Sequence, residues 1–184
     1  MPNALIPRQP VPDLDVATLD GNTWRLSDQR PQNFTLVVFY RGLHCGICSG
    51  YLSDLDRKLG AFKERGVEVI AISSDSGDRA RTSQEKWKLE HLTIGHSLDL
   101  DTARAWGLYI SSSNGMTGAG VEEPAQFSEP GLFLVRPDGT LYFASVQTMP
   151  FARPGFADIL KALDFVIAKN YPARGEVVDH KQAA

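Results

Sequence analysis

The sixteen residues Asn33 to Cys48, NFTLVVFYRGLHCGIC, decide how the rest of the chain is read. Residues 33–40 form a nearly continuous β-branched and aromatic run, the pattern of a strand covered on both faces. That run leads straight into Cys45 and Cys48, the only cysteines in the chain. Beyond them Leu52, Leu55, Leu59 and Phe62 recur at helical spacing, and Gly66 supplies a stop. The stretch therefore predicts strand, short loop and helix, with the cysteine pair at the junction.

Working outward, Val67–Ser73 (VEVIAIS) is a second buried-strand candidate, followed by a polar helix over Asp78–His91 whose clearest apolar anchor is Trp87. Strand, helix, strand in this order implies a right-handed crossover and a parallel pair. A short strand around Leu92–Ile94 and a brief helix around Thr102–Trp106 follow. Ser111–Ser128, rich in Ser, Gly and Glu and without a period, reads as a long surface loop. Gly131–Arg136 and Leu141–Val146 read as an antiparallel hairpin turned by Pro137-Asp138-Gly139-Thr140. A final amphipathic helix carries Phe156, Ile159, Leu160, Leu163, Val166 and Ile167, with Pro154 as its starter and Pro172 beyond its end. Upstream, two apolar runs around Asp20-Gly21-Asn22 read as a small hairpin. The expected fold is α/β, a central mixed sheet flanked by helices with an N-terminal β-hairpin. Residues 1–11 form a lead, 12–170 the domain and 171–184 a solvated tail.

A chain of 184 residues fits one domain with a real core. Its net charge of −3 offers no basic field to gather phosphates, which argues against nucleic-acid binding. The N-terminus, MPNALIPRQPVPDLD, lacks the unbroken apolar region of a signal peptide, and no later apolar run reaches the roughly 18–20 residues that span a bilayer. A cytoplasmic location is expected, without a membrane partner. Cytosolic thiols are kept reduced, so a close cysteine pair there reads as redox-active or metal-binding before it reads as structural.

A helix start presents free N–H groups and a partial positive charge to whatever sits in its first turn. A thiolate at Cys45 or Cys48 is stabilised there, and two cysteines three apart can bring their sulfurs into bonding range. Arg41 and His44 flank the pair and can add positive charge. A zinc site would want four ligands, and this chain offers no further cysteine and four scattered histidines. Two buried inert thiols, in a binding protein that turns nothing over, remain an alternative.

Phe39-Tyr40 with the cysteine loop, the Thr18-Leu19-Asp20-Gly21 hairpin, Ala105-Trp106-Gly107-Leu108 and the run Gly131 to Gly139 (GLFLVRPDG) resemble the peroxiredoxin-like branch of the thioredoxin fold, the alkyl hydroperoxide reductase and thiol-specific antioxidant group. The resemblance spans about Pro12 to Lys169. Peroxiredoxins carry Pro-x-x-x-Thr-x-x-Cys, and the resemblance places Cys48 at the peroxide-reactive position. Arg41 stands where that Pro would be and Cys45 where the Thr would be. A second Arg, normally just before the Gly-Leu-Phe strand, is replaced by Pro130, and Arg136 lies at the wrong end of that strand.

The departures resemble thioredoxin-like disulfide oxidoreductases, whose Cys-x-x-Cys matches Cys45-Gly46-Ile47-Cys48 and whose cis-proline matches Pro130. The reading these resemblances imply is a thiol-disulfide oxidoreductase in which Cys45 attacks, Cys48 resolves, Arg41 supports the thiolate and Pro130 receives a protein disulfide. The alternative is a thiol peroxidase acting on hydrogen peroxide or organic hydroperoxides, with Cys48 attacking and Cys45 resolving. Both need an external reductant of the thioredoxin or glutathione type, and neither implies a metal or organic cofactor. Trp106, Tyr109 and Phe151 are aromatic residues for either core or interface, and the oligomeric state is left open, a dimer included.

Overall fold

The computed structural model describes residues 4–178. Its strands are β1 (Asp15–Thr18), β2 (Thr23–Arg25), β3 (Phe34–Phe39), β4 (Val67–Ile72), β5 (Ile94–His96), β6 (Ile110–Ser112), β7 (Gln126–Ser128), β8 (Gly131–Val135) and β9 (Leu141–Val146). Its helices are α1 (Gly46–Glu64), α2 (Gly77–Trp87), α3 (Leu100–Ala105) and α4 (Phe156–Lys169). Seven strands form one mixed sheet in the order β2-β1-β5-β4-β3-β8-β9, and β6 and β7 pair separately. The parallel pairing of β3 with β4 and the antiparallel pairing of β3 with β8 put the cysteine strand inside the sheet, with neighbours on both sides.

Alternation along β3 explains its uninterrupted apolar sequence. Leu36, Val38 and Tyr40 face a core made with Leu52, Leu55 and Phe62 of α1, Ala80 of α2, and Phe156, Ile159 and Leu163 of α4. Val37 and Phe39 face the opposite core, with Trp106, Leu108, Ala103 of α3 and Leu14. A strand buried on both faces has no polar side to show. Trp106 is thus core, whereas Tyr109 and Phe151 are exposed.

Several local expectations shift. The polar helix stops at Trp87, four residues before His91: Lys88 adopts the left-handed conformation, φ 54°, and the Leu89 N–H reaches back to Gln84 O at 3.0 Å. This is a six-to-one helix stop, closed by buried Leu89. The next strand starts at Ile94, two residues late, because the Asp56 carboxylate accepts the His91 and Leu92 N–H groups at 3.0 and 2.8 Å. Donors taken by a side chain cannot join a ladder.

Pro154 stands ahead of the Gly155 N-cap of α4 and so is outside the helix, its carbonyl accepting the Tyr51 hydroxyl at 2.8 Å. The stretch 111–128 is no featureless loop, since β6 and β7 pair at its ends and make it an antiparallel arm. The tail is partly built in: Ala173 is buried, and Arg8 donates to its carbonyl at 3.0 and 2.7 Å. The lead is also engaged, Pro10 bridging to Thr140. Residues 1–3 and 179–184, the ends of the expected lead and tail, lie outside the described residues.

Candidate active site

Cys45 is the N-cap of α1, and its sulfur accepts the Cys48 N–H at 3.3 Å. The turn before it is closed by Cys45 N–H to Gly42 O at 3.1 Å. The two thiols are free, with sulfurs 2.7 Å apart and the Cys48 thiol donating to Cys45. Both are buried, at 4% and 0% exposure.

The environment drives the two thiols apart. Cys45 is lowered to about 6, first by the hydrogen bond from Cys48 and then by the Cys48 N–H and the charges of Arg153 and Arg41, against burial. Cys48 is raised, by burial first, then by the hydrogen bond it gives and the charge on Cys45; Arg153 opposes this in part. The pair therefore holds one negative charge, on Cys45, while Cys48 keeps its proton.

Arg153 is the residue that the sequence did not reveal. Its Nη2 lies 3.1 Å from the Cys48 sulfur and 3.7 Å from that of Cys45. Its Nε donates to Pro150 O at 2.9 Å, and its guanidinium lies over the Tyr51 ring at 4.9 Å. Nη1 is buried with no hydrogen-bond partner, a donor still free to serve a bound oxygen. The local signal is small: an arginine between Pro150 and Pro154 in a segment with no period.

The Arg41 charge lowers Cys45, the direction expected, but its guanidinium is engaged away from the sulfurs. Its guanidinium pairs with Glu123 and Glu129, both at 3.3 Å, and lies over Phe127 at 4.7 Å. Glu129 also accepts the Ser111 hydroxyl at 2.6 Å, and Glu123 the Asn114 N–H at 2.6 Å. Arg41 therefore fastens the β6–β7 arm beside the cysteine loop, and its charge lowers Cys45 less than that of Arg153 does. His44 supplies no positive charge: it is buried against Phe127, both ring nitrogens lack partners, and burial lowers it to about 4.

Pro130 is buried just ahead of β8, where Gly131 pairs with Phe39. Among the described residues no peptide bond is cis, so the cis-proline expected there is instead trans. The Pro130 carbonyl accepts Gln147 N–H at 3.0 Å. Backbone already engaged in that pairing is not waiting for an incoming chain. Arg136 lies over the Phe34 and Tyr142 rings, apart from the cysteines, in line with its exclusion.

A groove of about 560 Å³ runs beside the site between the arm and the Arg153 loop, lined by Arg41, Ser111, Glu129, Met149, Pro150 and Phe151 among others. Among the described residues no group of three or more His, Cys, Asp or Glu side chains is placed to hold a metal ion. No described helix is long and apolar enough to cross a membrane.

A central mixed sheet with a paired-cysteine helix start at the end of an interior strand defines a thioredoxin-fold redox scaffold. The chain belongs to the AhpC/TSA family, whose sequence profile matches residues 7–144. A curated Mycobacterium tuberculosis protein, found in two strains and provisionally named a peroxiredoxin, is 28% identical over 105 residues, covering 57% of this chain. The chain spans 66% of that relative's length, just under two thirds. Among solved structures, a mutant of peroxiredoxin 6 from Arenicola marina superposes with a TM-score of 0.74 at 17% identity, covering 91% of this chain and 76% of that one. Peroxidoxin BcpB from Mycobacterium tuberculosis gives 0.67 at 16%, covering 89% and 98%. AhpC of Enterococcus faecalis gives 0.68 at 19%, covering 92% and 98%. At these identities the structures establish the fold alone.

Proposed function

We propose that this chain is a thiol peroxidase for hydrogen peroxide or small organic hydroperoxides, its cysteines cycling between dithiol and internal disulfide. The observation that carries the choice is Arg153, whose Nη2 lies 3.1 and 3.7 Å from the Cys48 and Cys45 sulfurs and whose buried Nη1 has no partner. A fixed cationic donor beside a thiolate is suited to a peroxide oxygen on which charge develops. Family membership, and the relatives named peroxiredoxin, support the same reading. The trans bond at Pro130 removes the feature that had favoured a protein disulfide.

In this reading the Cys45 thiolate attacks one peroxide oxygen and the O–O bond breaks. The departing oxygen takes a proton and leaves as water or alcohol, and Cys45 becomes a sulfenic acid. Arg153 holds the oxygen as its charge develops. The Cys48 sulfur, 2.7 Å away, then attacks the Cys45 sulfur; the S–S bond forms, the S–O bond breaks and water departs. A thiol donor of the thioredoxin or glutathione type returns the pair to the dithiol.

One observation favours the opposite order: Arg153 lies nearer Cys48, 3.1 against 3.7 Å, and Cys48 matches the family's peroxide-reactive position. Cys45→Ser and Cys48→Ser, each treated with hydrogen peroxide and a sulfenic-acid trap, decide between the two. Rapid trapping on Cys45 in Cys48→Ser, with little on Cys48 in the other variant, is expected. The reverse result assigns attack to Cys48. A wild-type protein whose thiols survive peroxide but are lost to a model disulfide would overturn the peroxidase reading.

A further inference from the structure

Asp75 lies between β4 and α2, and its side chain is wholly buried. Its position is set from outside the cysteine loop. The Asp75 N–H donates to Ser73 Oγ at 3.3 Å, and its carbonyl accepts Ser97 N–H at 2.7 Å. Its carboxylate then does two things: one oxygen accepts Arg79 Nε at 2.8 Å and the other accepts the Leu43 N–H at 2.7 Å. The loop backbone rests on the same group. Gly42 has φ +132°, and a Cβ at that residue would lie 2.5 Å from the Asp75 oxygen that receives Leu43. Two residues on, the Cys45 N–H closes onto Gly42 O, completing the turn that delivers Cys45 to the helix cap.

We propose that Asp75 is the positioning residue for the attacking cysteine: its carboxylate fixes the turn from Gly42 to Cys45 and so holds the Cys45 sulfur where the Cys48 N–H reaches it. Asp75 acts through the backbone. The groups with the largest effect on the Cys45 thiol are Cys48, Arg153 and Arg41. The Asp75 charge is met by Arg79. A capping sulfur gains from an aimed N–H only while the turn keeps it there, so releasing Leu43 weakens the nucleophile without touching it. This inference rests on the proposed peroxidase only in taking Cys45 as the attacking thiol.

The test measures the rate of alkylation by iodoacetamide against pH, on reduced protein and without peroxide, alongside circular dichroism and thermal melting. Asp75→Ala is expected to remain folded and to lose about tenfold in alkylation rate near pH 5, the effect of about one unit in thiol pKa. Gly42→Ala disturbs the same contact from the loop side and should give the same shift; if Asp75→Ala does not fold, Gly42→Ala decides by the same criterion. Arg79→Ala retains the Leu43 bond and is expected to lower the melting temperature while leaving the profile within about twofold of wild type. A folded Asp75→Ala with an unmoved profile overturns the proposal, as does an Arg79→Ala profile shifted equally far. Peroxide consumption by the wild-type protein is scored separately, so failure of the peroxidase reading and failure of this one are told apart.

Discussion

Replacing Arg153 by Met keeps much of the apolar stem over Tyr51 while removing the charge and the donors. In the native site the guanidinium nitrogen is 3.7 Å from the Cys45 sulfur. An opposite charge at that range lowers an acid's pKa by about one to three units. With Cys45 lowered to about 6 in the native protein, and the Cys48 hydrogen bonds ranking ahead of Arg153 among the causes, loss of the arginine moves it up by about one unit. The thiolate fraction at pH 7 then falls from about nine-tenths to about one-half, and alkylation by iodoacetamide slows about twofold there and about tenfold near pH 5.

Peroxide attack suffers a second loss, because the donor that holds the oxygen has gone; removal of one such donor typically costs about a hundredfold or more. Oxidation by hydrogen peroxide at pH 7, followed by stopped-flow fluorescence, should therefore slow about two hundredfold. The two assays separate ground-state ionisation from stabilisation of the departing oxygen. Equal slowing in both would leave Arg153 with an electrostatic role alone. An alkylation profile still centred near 6, with peroxide oxidation within about threefold of wild type, refutes the assignment.

Arg41→Gln strands two carboxylates, whose side chains are 6% and 5% exposed, beside a neutral group. Breaking a buried pair by removing one partner costs about 3–5 kcal/mol, so the melting temperature should drop by about 10 °C, measured calorimetrically at neutral pH. Alkylation of Cys45 should change by less than about threefold, which would place Arg41 in the scaffold. The reduced protein should also carry a pH signature. Cys45 is depressed in the fold, so its contribution to stability is full above about 8.5, the unfolded value, and is lost as pH falls through about 6. Cys48 is raised, which reverses the slope above about 8.5. Melting temperatures of wild type minus those of Cys45→Ser/Cys48→Ser should pass through a maximum near pH 8.5; a flat difference would contradict the split ionisation.

Where a residue's structural fate is decided by its near neighbours, the sequence was enough. The run from Phe34 to Phe39 could only be a doubly covered strand, the spacing from Leu52 to Phe62 set α1, and Gly66 stands at φ +65° just past its end. What escaped was decided at a distance or without a marker. Lys88 ends α2 in a conformation usually signalled by glycine. Asp56 captures two N–H groups some 35 residues away, moving the start of β5. The arm's strands are three residues each, too short to show alternation, and their anchor is an arginine 82 residues before Glu123.

Arg153 is 105 residues from Cys48, and no periodicity brings them together. The isomer at Pro130 likewise depends on tertiary context, not on the residues beside it. The cysteine pair was legible because strand end, loop and helix start are consecutive. The ionisation of each sulfur was not, because it depends on burial and on that distant guanidinium.

The single charge shared by the cysteines also makes the site's electrostatic character follow its redox state. While the pair is reduced, Arg153 has an anionic sulfur within 3.7 Å and the two nearly cancel. A disulfide has no charge, so oxidation leaves a half-buried guanidinium without its counter-ion at the place where the next reactant must arrive. The species that reopens a disulfide is itself a thiolate. In the proposed cycle, spent protein would thus draw the anion that restores it, and regenerated protein, neutral again, would release its hold.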